Sequence, residues 1–324
     1  MNEIQGIELK REFRPGGALY QVVEEGNENF LLGLGLWDRA NIRHTKEEKD
    51  RTKGQVVRID ANDNEIGRSP ELSNIIYQLD PIDDERIFVG CRTGDLLYLN
   101  KDLSVGRKLD IENSGLYFWI RDGKNLTATM RSGAVLFLDM ETEDYQVVQL
   151  LDPDVRMWPI ARRGDNVLMG SYRGDLVLME ERDVAKKTKV KDNRSAIWTI
   201  DPHKDGYLVG TAQGRLFYLS GDLEEIIWEG RIASGVTSAE RISDDHLVIG
   251  DFKGNLHIFS DSECRMLYRN PEKVKNNPIW RITHDPKDHL IRTAYANGQM
   301  RTFRVNYTQH NPGDLELPLN QYPR

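Results

Sequence analysis

The chain has 324 residues, 39% of them hydrophobic and 30% charged, with a formal net charge of −8. That composition supplies a packed core and argues against disorder, while the negative balance argues against non-specific nucleic-acid binding by the molecule as a whole. Two cysteines, Cys91 and Cys264, make neither a disulfide framework nor a zinc spacing. No segment approaches the roughly 18 apolar residues of a membrane helix, and the N-terminus MNEIQGIELKREF has no apolar core of signal-peptide length. The expected setting is cytoplasmic, with no membrane partner.

In chain order, the segment IQGIELKREF at residues 4–13 precedes a strand-like run, ALYQVVE, that opens the first of several repeated units. Blade one carries the largest departure from the repeat, a charged insertion at 36–53 that contains the run WDRANIRHTKEEKDRTK. From there a glycine recurs as Gly54, Gly94, Gly133, Gly174, Gly214, Gly254 and Gly298, at intervals of 40, 39, 41, 40, 40 and 44 residues. Around it a phrase repeats: GSYRGDLVLME, then GTAQGRLFYLS, then GDFKGNLHIFS. The fifth unit reads as four short strands, SAIWTID, GYLVGT, RLFYLS and EEIIWEG, separated by turn formers. No helical spacing is sustained, and a tight turn between the second and third strands accounts for glycine there. The last unit supplies three strands, IWRITH, HLIRTAY and QMRTFRV. Residues 4–13 are expected to add its fourth and close the ring, with LELPLN in the C-terminal tail as competitor.

A four-stranded unit repeated every 40 to 45 residues is the period of a β-propeller blade. On these residues the chain resembles the WD40-like seven-bladed β-propeller superfamily over nearly its whole length, and its GxLxxL runs are also similar to quinoprotein-type propeller repeats. It departs from the WD40 pattern where the Trp-Asp dipeptide would stand: this chain has RID, YLN, FLD, LME, YLS and IFS, and it lacks the Gly-His signature. The expected fold is all-β: seven four-stranded antiparallel blades in one domain, 1–324, with the N-terminal strand closing the last blade.

Aligned inner strands give a column of Tyr20, Tyr77, Tyr117, Trp158, Trp198, Ser238 and Trp280. The rings either fill wedges between blades or line the channel mouth and stack on a ligand. Blade six breaks the column with Ser238. Two residues on, Glu240 stands opposite Val22, Leu79, Trp119, Ile160, Ile200 and Ile282. Glu240 either pairs structurally with Arg241 and Arg281 or serves as an anchor or acid/base group in the channel wall.

Meander geometry places the connections between second and third strands, and those between blades, on one face. That face carries Arg92, Arg131, Arg173 and Lys253 beside the marker glycines, and Arg14, Arg156, Arg194, Lys273 and Lys275 between blades. The opposite face is acidic, with DANDNE, DPIDDE and DMETED among its turns. In the WD40-like superfamily the resemblance implies use of the first face for peptide or protein partners. Trp37, at the base of the insertion, is either an aromatic anchor or a core residue.

No G-x-S-x-G elbow, P-loop, H-E-x-x-H or C-x-x-C occurs. HDPKDH, with His284, Asp285 and His289, resembles a metal set on paper but falls in a turn. The expected function is a non-enzymatic scaffold that docks an acidic or phosphorylated protein or peptide. Arg92, Arg131, Arg173 and Lys253 would supply charge. Tyr77, Tyr117, Trp158, Trp198, Trp280 and Trp37 would supply apolar contact. No cofactor and no metal are expected. The alternative is an enzyme acting on an anionic small molecule or peptide in the channel, with Glu240 and Arg281 central. A quinone- or metal-bearing propeller is a third reading.

Overall fold

A computed structural model describes residues 4–26, 29–36, 52–92, 94–111, 115–190, 195–260, 263–271 and 277–307. Seven four-stranded antiparallel sheets form the ring, in agreement with the repeat count. The first, inner strands of the blades are Ala18–Gly26, Ile76–Pro81, Leu116–Asp122, Met157–Arg163, Ile197–His203, Val236–Ser243 and Ile279–Asp285. Each touches the inner strands before and after it in one closed circuit. Closure follows the expected route: Ile4–Phe13 pairs antiparallel with Met300–Tyr307, from Ile4 opposite Tyr307 to Phe13 opposite Met300. The LELPLN tail, Trp37 and most of the insertion, and Arg194, Lys273 and Lys275 lie outside the described residues.

The apolar core is not central. It is divided into seven clusters, one in each wedge between neighbouring blades. Between blades two and three, for example, Phe88 and Leu96 pack on Leu116, Trp119 and Leu136. The outermost strands are largely exposed.

The two glycines of the repeated phrase do different work. A Cβ on Gly210 would meet Val236 of the next blade's inner strand at 2.5 Å, so the first glycine allows the wedge to close. Gly214 has φ +81°, a left-handed turn conformation, and a Cβ there would meet the carbonyl oxygens of Ile232 and Ser234 at 2.5 Å. The equivalent glycines at 94, 133, 174, 254 and 298 share the positive φ. Gly54 does not: it begins the third strand of blade one and leaves room for the carbonyl of Asn74.

A left-handed non-glycine residue costs about 1–2 kcal/mol, and at Gly214 the carbonyl clashes add to that. Gly214→Ala is expected to lower stability by about 2–4 kcal/mol, against about 1 kcal/mol for Gly123→Ala, where φ is +57° and nothing lies within 4 Å of the added Cβ. Urea unfolding midpoints of the two variants check this.

Candidate functional site

The inner strands carry their functional side chains because each is bulged near its start. Pairing with the second strand skips Tyr20, Tyr77, Trp198, Thr237 and Trp280 in blades one, two, five, six and seven. In blades three and four it skips Tyr117 with Phe118, and Trp158 with Pro159. A bulge leaves its residue outside the ladder and re-aims it, here toward the ring axis. Neighbouring side chains satisfy backbone groups freed there. Gln78 accepts from the Trp119 N–H and donates to the Trp119 carbonyl, both at 2.8 Å. Thr237 and Ser238 donate to the Ile279 carbonyl at 2.7 and 2.9 Å.

The predicted rings come together around the axis. Tyr20 lies 5.7 Å from Tyr77, Tyr77 5.9 Å from Tyr117, and Tyr117 4.4 Å from Trp158. Trp158 is 5.4 Å from Trp198, Trp198 stacks on Trp280 at 5.5 Å, and Trp280 returns to Tyr20 at 6.2 Å. The circuit is closed, and each such pair adds about 0.5–1.5 kcal/mol beyond its burial. Blade six contributes no ring from its inner strand. Phe252, from the turn after its second strand, fills that place at 5.0 Å from Trp198 and 6.2 Å from Trp280.

This register corrects the alignment of blade six. Thr237, not Ser238, occupies the ring position, because Val236 pairs with Asp251 and Ser238 with Gly250. Glu240, opposite Val248, therefore belongs with Asp80, opposite Phe88, and Asp201, opposite Leu208. Its companions are not Leu79, Ile200 and Ile282, whose place in blade six is taken by Ala239. A fixed 40-residue offset from Trp198 lands one residue late.

The aromatic layer lies between two cavities, and Phe118, Trp198, Thr237 and Trp280 line both. The upper funnel, about 250 Å³, is also lined by Tyr20, Tyr77, Tyr117, Tyr172, Arg92 and Arg156. Arg92 and Arg131 each follow the end of a second strand, and their N–H groups donate to Ile75 and Gly115 at the entry of the same blade's inner strand. Tyr172 and Phe252 hold the equivalent place in blades four and six. Burial raises the Tyr77, Tyr117 and Tyr172 hydroxyls, the last to about 12. Arg92 pulls all three back, joined by Arg131 at Tyr77 and Tyr117 and by Arg156 at Tyr117 and Tyr172. The charges of the three arginines therefore act on one tyrosine cluster, and Arg92 and Arg156 line the funnel with it.

Arg173 and Lys253 do not join them. Each sits directly beside its glycine, one residue further along than Arg92 or Arg131, and both are exposed. Arg173 pairs with Asp154 at 2.5 Å. An exposed pair of that kind contributes at most about 1 kcal/mol.

The lower chamber, about 390 Å³, is lined by Gln78, Thr199, Asp201, Ser238, Glu240 and Arg281, with Arg121 and Arg162 at its edge. Arg121 is held by Asp80 at 2.8 Å and Arg162 by Asp122 at 2.6 Å. Asp201 and Glu240 have no hydrogen-bond or ion-pair partner among the described residues, so Glu240 is not locked by Arg241 or Arg281. Both carboxylates retain some solvent contact but sit deep within the ring. Burial pushes Asp201 up to about 8, with the Glu240 charge adding and Arg281 and Arg241 opposing. Burial raises Glu240 to about 7 against the same two arginines. Sequence reasoning missed Asp201; a bulge-aware alignment that places it beside Glu240 and Asp80 would have exposed it. Of the HDPKDH set, Asp285 accepts the Lys287 N–H at 3.0 Å and faces Arg292 at 3.9 Å. Among the described residues no group of three or more His, Cys, Asp or Glu could hold a metal.

No protein-family model matches the chain, and no curated protein does. Among the described residues no helix is long and apolar enough to cross a membrane.

Because both carboxyls hold their protons more tightly in the folded chain than in the unfolded one, folding binds protons between about pH 4 and pH 8. Stability should fall as pH rises through that window, by on the order of a few kcal/mol at about 1.4 kcal/mol per pKa unit. The double variant Asp201→Asn, Glu240→Gln should flatten this dependence, as followed by denaturant unfolding from pH 5 to about 8.5. An unchanged slope would remove the pair as its source.

Proposed function

We propose that this propeller is a binding module whose upper funnel docks an acidic or phosphorylated segment of a protein partner. The observation that carries the reading is that Arg92 and Arg156 line the funnel with Tyr77, Tyr117 and Tyr172 above a closed aromatic floor, while the charge of Arg131 reaches Tyr77 and Tyr117. Guanidinium groups recognise carboxylate and phosphate through paired, charge-assisted hydrogen bonds. Rigid rings beneath them supply contact area at low conformational cost. Arg131 and Arg156 have no carboxylate partner among the described residues, so their charge is available to a ligand. The likeness to WD40-like propellers points the same way, since partners there use this face.

The cations sit on blades two to four, while Ala212, Phe252 and Ala296 take the equivalent upper positions on blades five to seven. The partner's anionic group would thus rest toward blades two to four and its apolar neighbours over Trp198, Trp280 and Phe252. One observation favours a second reading, catalysis in the lower chamber with Glu240 and Arg281: the Glu240 carboxylate is not held in an ion pair.

Reversing charge at Arg92, Arg131 and Arg156 together should abolish binding to acidic and phosphorylated peptides on an array without altering the circular dichroism of the ring. Wild-type binding should weaken as salt rises from about 0.05 to 0.5 M. Reversal of Arg173 alone should change affinity less than about twofold, because its charge is neutralised by Asp154 outside the funnel. A triple variant that retains the same peptides defeats the proposal.

A further inference from the structure

The lower chamber holds one cation fewer than its carboxylates call for. Asp201 and Glu240 come from adjacent inner strands into the same cavity of about 390 Å³. Of the arginines that line it, Arg121 and Arg162 are already held by Asp80 and Asp122. Arg281 is the remaining guanidinium in the lining; Arg241, whose charge also reaches both carboxylates, is solvent-exposed and screened. One fixed cation therefore serves two carboxylates.

A separate observation points to a ligand. Thr199 is only 7% exposed and lines the chamber, yet its hydroxyl has no hydrogen-bond partner among the described residues. Its oxygen is not among the fully buried atoms that lack a partner, so it keeps contact with the solvent-accessible chamber that Thr199 lines. The Ser238 hydroxyl is, by contrast, committed to the Ile279 carbonyl at 2.9 Å. Overhead, Trp198 and Trp280 stack at 19° and share the chamber wall with Phe118.

We propose that the lower chamber binds a small primary alkylammonium ion, held between the Asp201 and Glu240 carboxylates with the Thr199 hydroxyl as third acceptor and the tryptophan pair as its roof. An ammonium head has three N–H donors and no acceptor, matching the three acceptor groups on offer. The turns that follow the inner strands of blades two and six carry Asp84, Glu85 and Asp244, which have no ion-pair partner among the described residues, unlike Asp83 and Asp245; such charges raise the local concentration of cations. A divalent metal fits less well, since the third acceptor group is a neutral hydroxyl and no further carboxylate or histidine completes a set among the described residues. The proposal is independent of the upper funnel. Near neutral pH the two carboxyls hold about one proton between them, and an entering ammonium displaces it. Proton release is thus a signature that surface binding of an amine would not give.

The test titrates putrescine and propylamine into the full chain by calorimetry at about pH 7.5. Proton release is followed with a pH indicator in weakly buffered solution. The expected result is saturable one-to-one binding, proton release rising toward one per amine, a change in tryptophan fluorescence, and no binding of 1-propanol. Glu240→Gln and Asp201→Asn should each weaken binding at least about tenfold and suppress proton release. Thr199→Val, which preserves shape and leaves both carboxylates in place, should weaken it several-fold, and it remains decisive where a carboxylate variant fails to fold. Three results would overturn the proposal: no saturable binding below about 10 mM amine, affinity unchanged in all three variants, or calcium occupying the chamber in a form putrescine does not displace.

Discussion

Everything in this molecule depends on the contact between one blade's inner strand and the second strand of the blade before it. Each wedge buries its own apolar cluster, and among the described residues these seven clusters make up the core. The contact needs a residue without a Cβ where the strands approach most closely, as at Gly210 against Val236 and Gly90 against Trp119. Apolar side chains of the inner strand face the wedges, so the bulged residues and those that follow are left to face the axis. Ring closure by residues 4–13 then makes the axial positions of distant repeats neighbours.

That constraint converts a one-dimensional repeat into layers. The uppermost layer comes from the turns after the second strands and carries Arg92 and Arg131 with Tyr172. Below it lies the aromatic circuit from Tyr20 to Trp280. Below that lie Asp80, Asp201 and Glu240, three residues beyond the bulge in blades two, five and six. Asp80 is neutralised across the wedge by Arg121, whereas Asp201 and Glu240 are not paired among the described residues. The channel thus has an arginine-lined end and an end lined by Asp201 and Glu240, with the large rings between them. The low-dielectric wall strengthens the field at each end relative to the same charges on an open surface.

Much of this was legible in the residues. The glycine period marked the blades, strand-like runs at both ends of the chain foretold closure, and the aromatic column named the rings that meet. Three local features were not legible, each for a geometric reason. A β-bulge inserts a residue without changing composition, so Thr237 and Ser238 exchanged roles and Glu240 was set in the wrong column. In a tight turn, residues one and two places before the glycine differ in exposure, which separates Arg173 and Lys253 from Arg92 and Arg131. Phe252 supplies the ring that blade six lacks, from a segment outside the inner strand altogether.

Periodicity, turn chemistry and alternation act over a few residues, so the sequence alone determined the number of blades, their four-strand composition and the order in which the ring closes. The side chains that share a cavity are set by register across strands and by contacts between repeats about 40 residues apart. Only the folded ring could therefore bring Asp201 beside Glu240, bring the charges of Arg92, Arg131 and Arg156 to bear on one set of tyrosines, and leave Arg173 to Asp154. Local pattern acts along the chain, while electrostatics and burial act through space, and the candidate sites belong to the second kind.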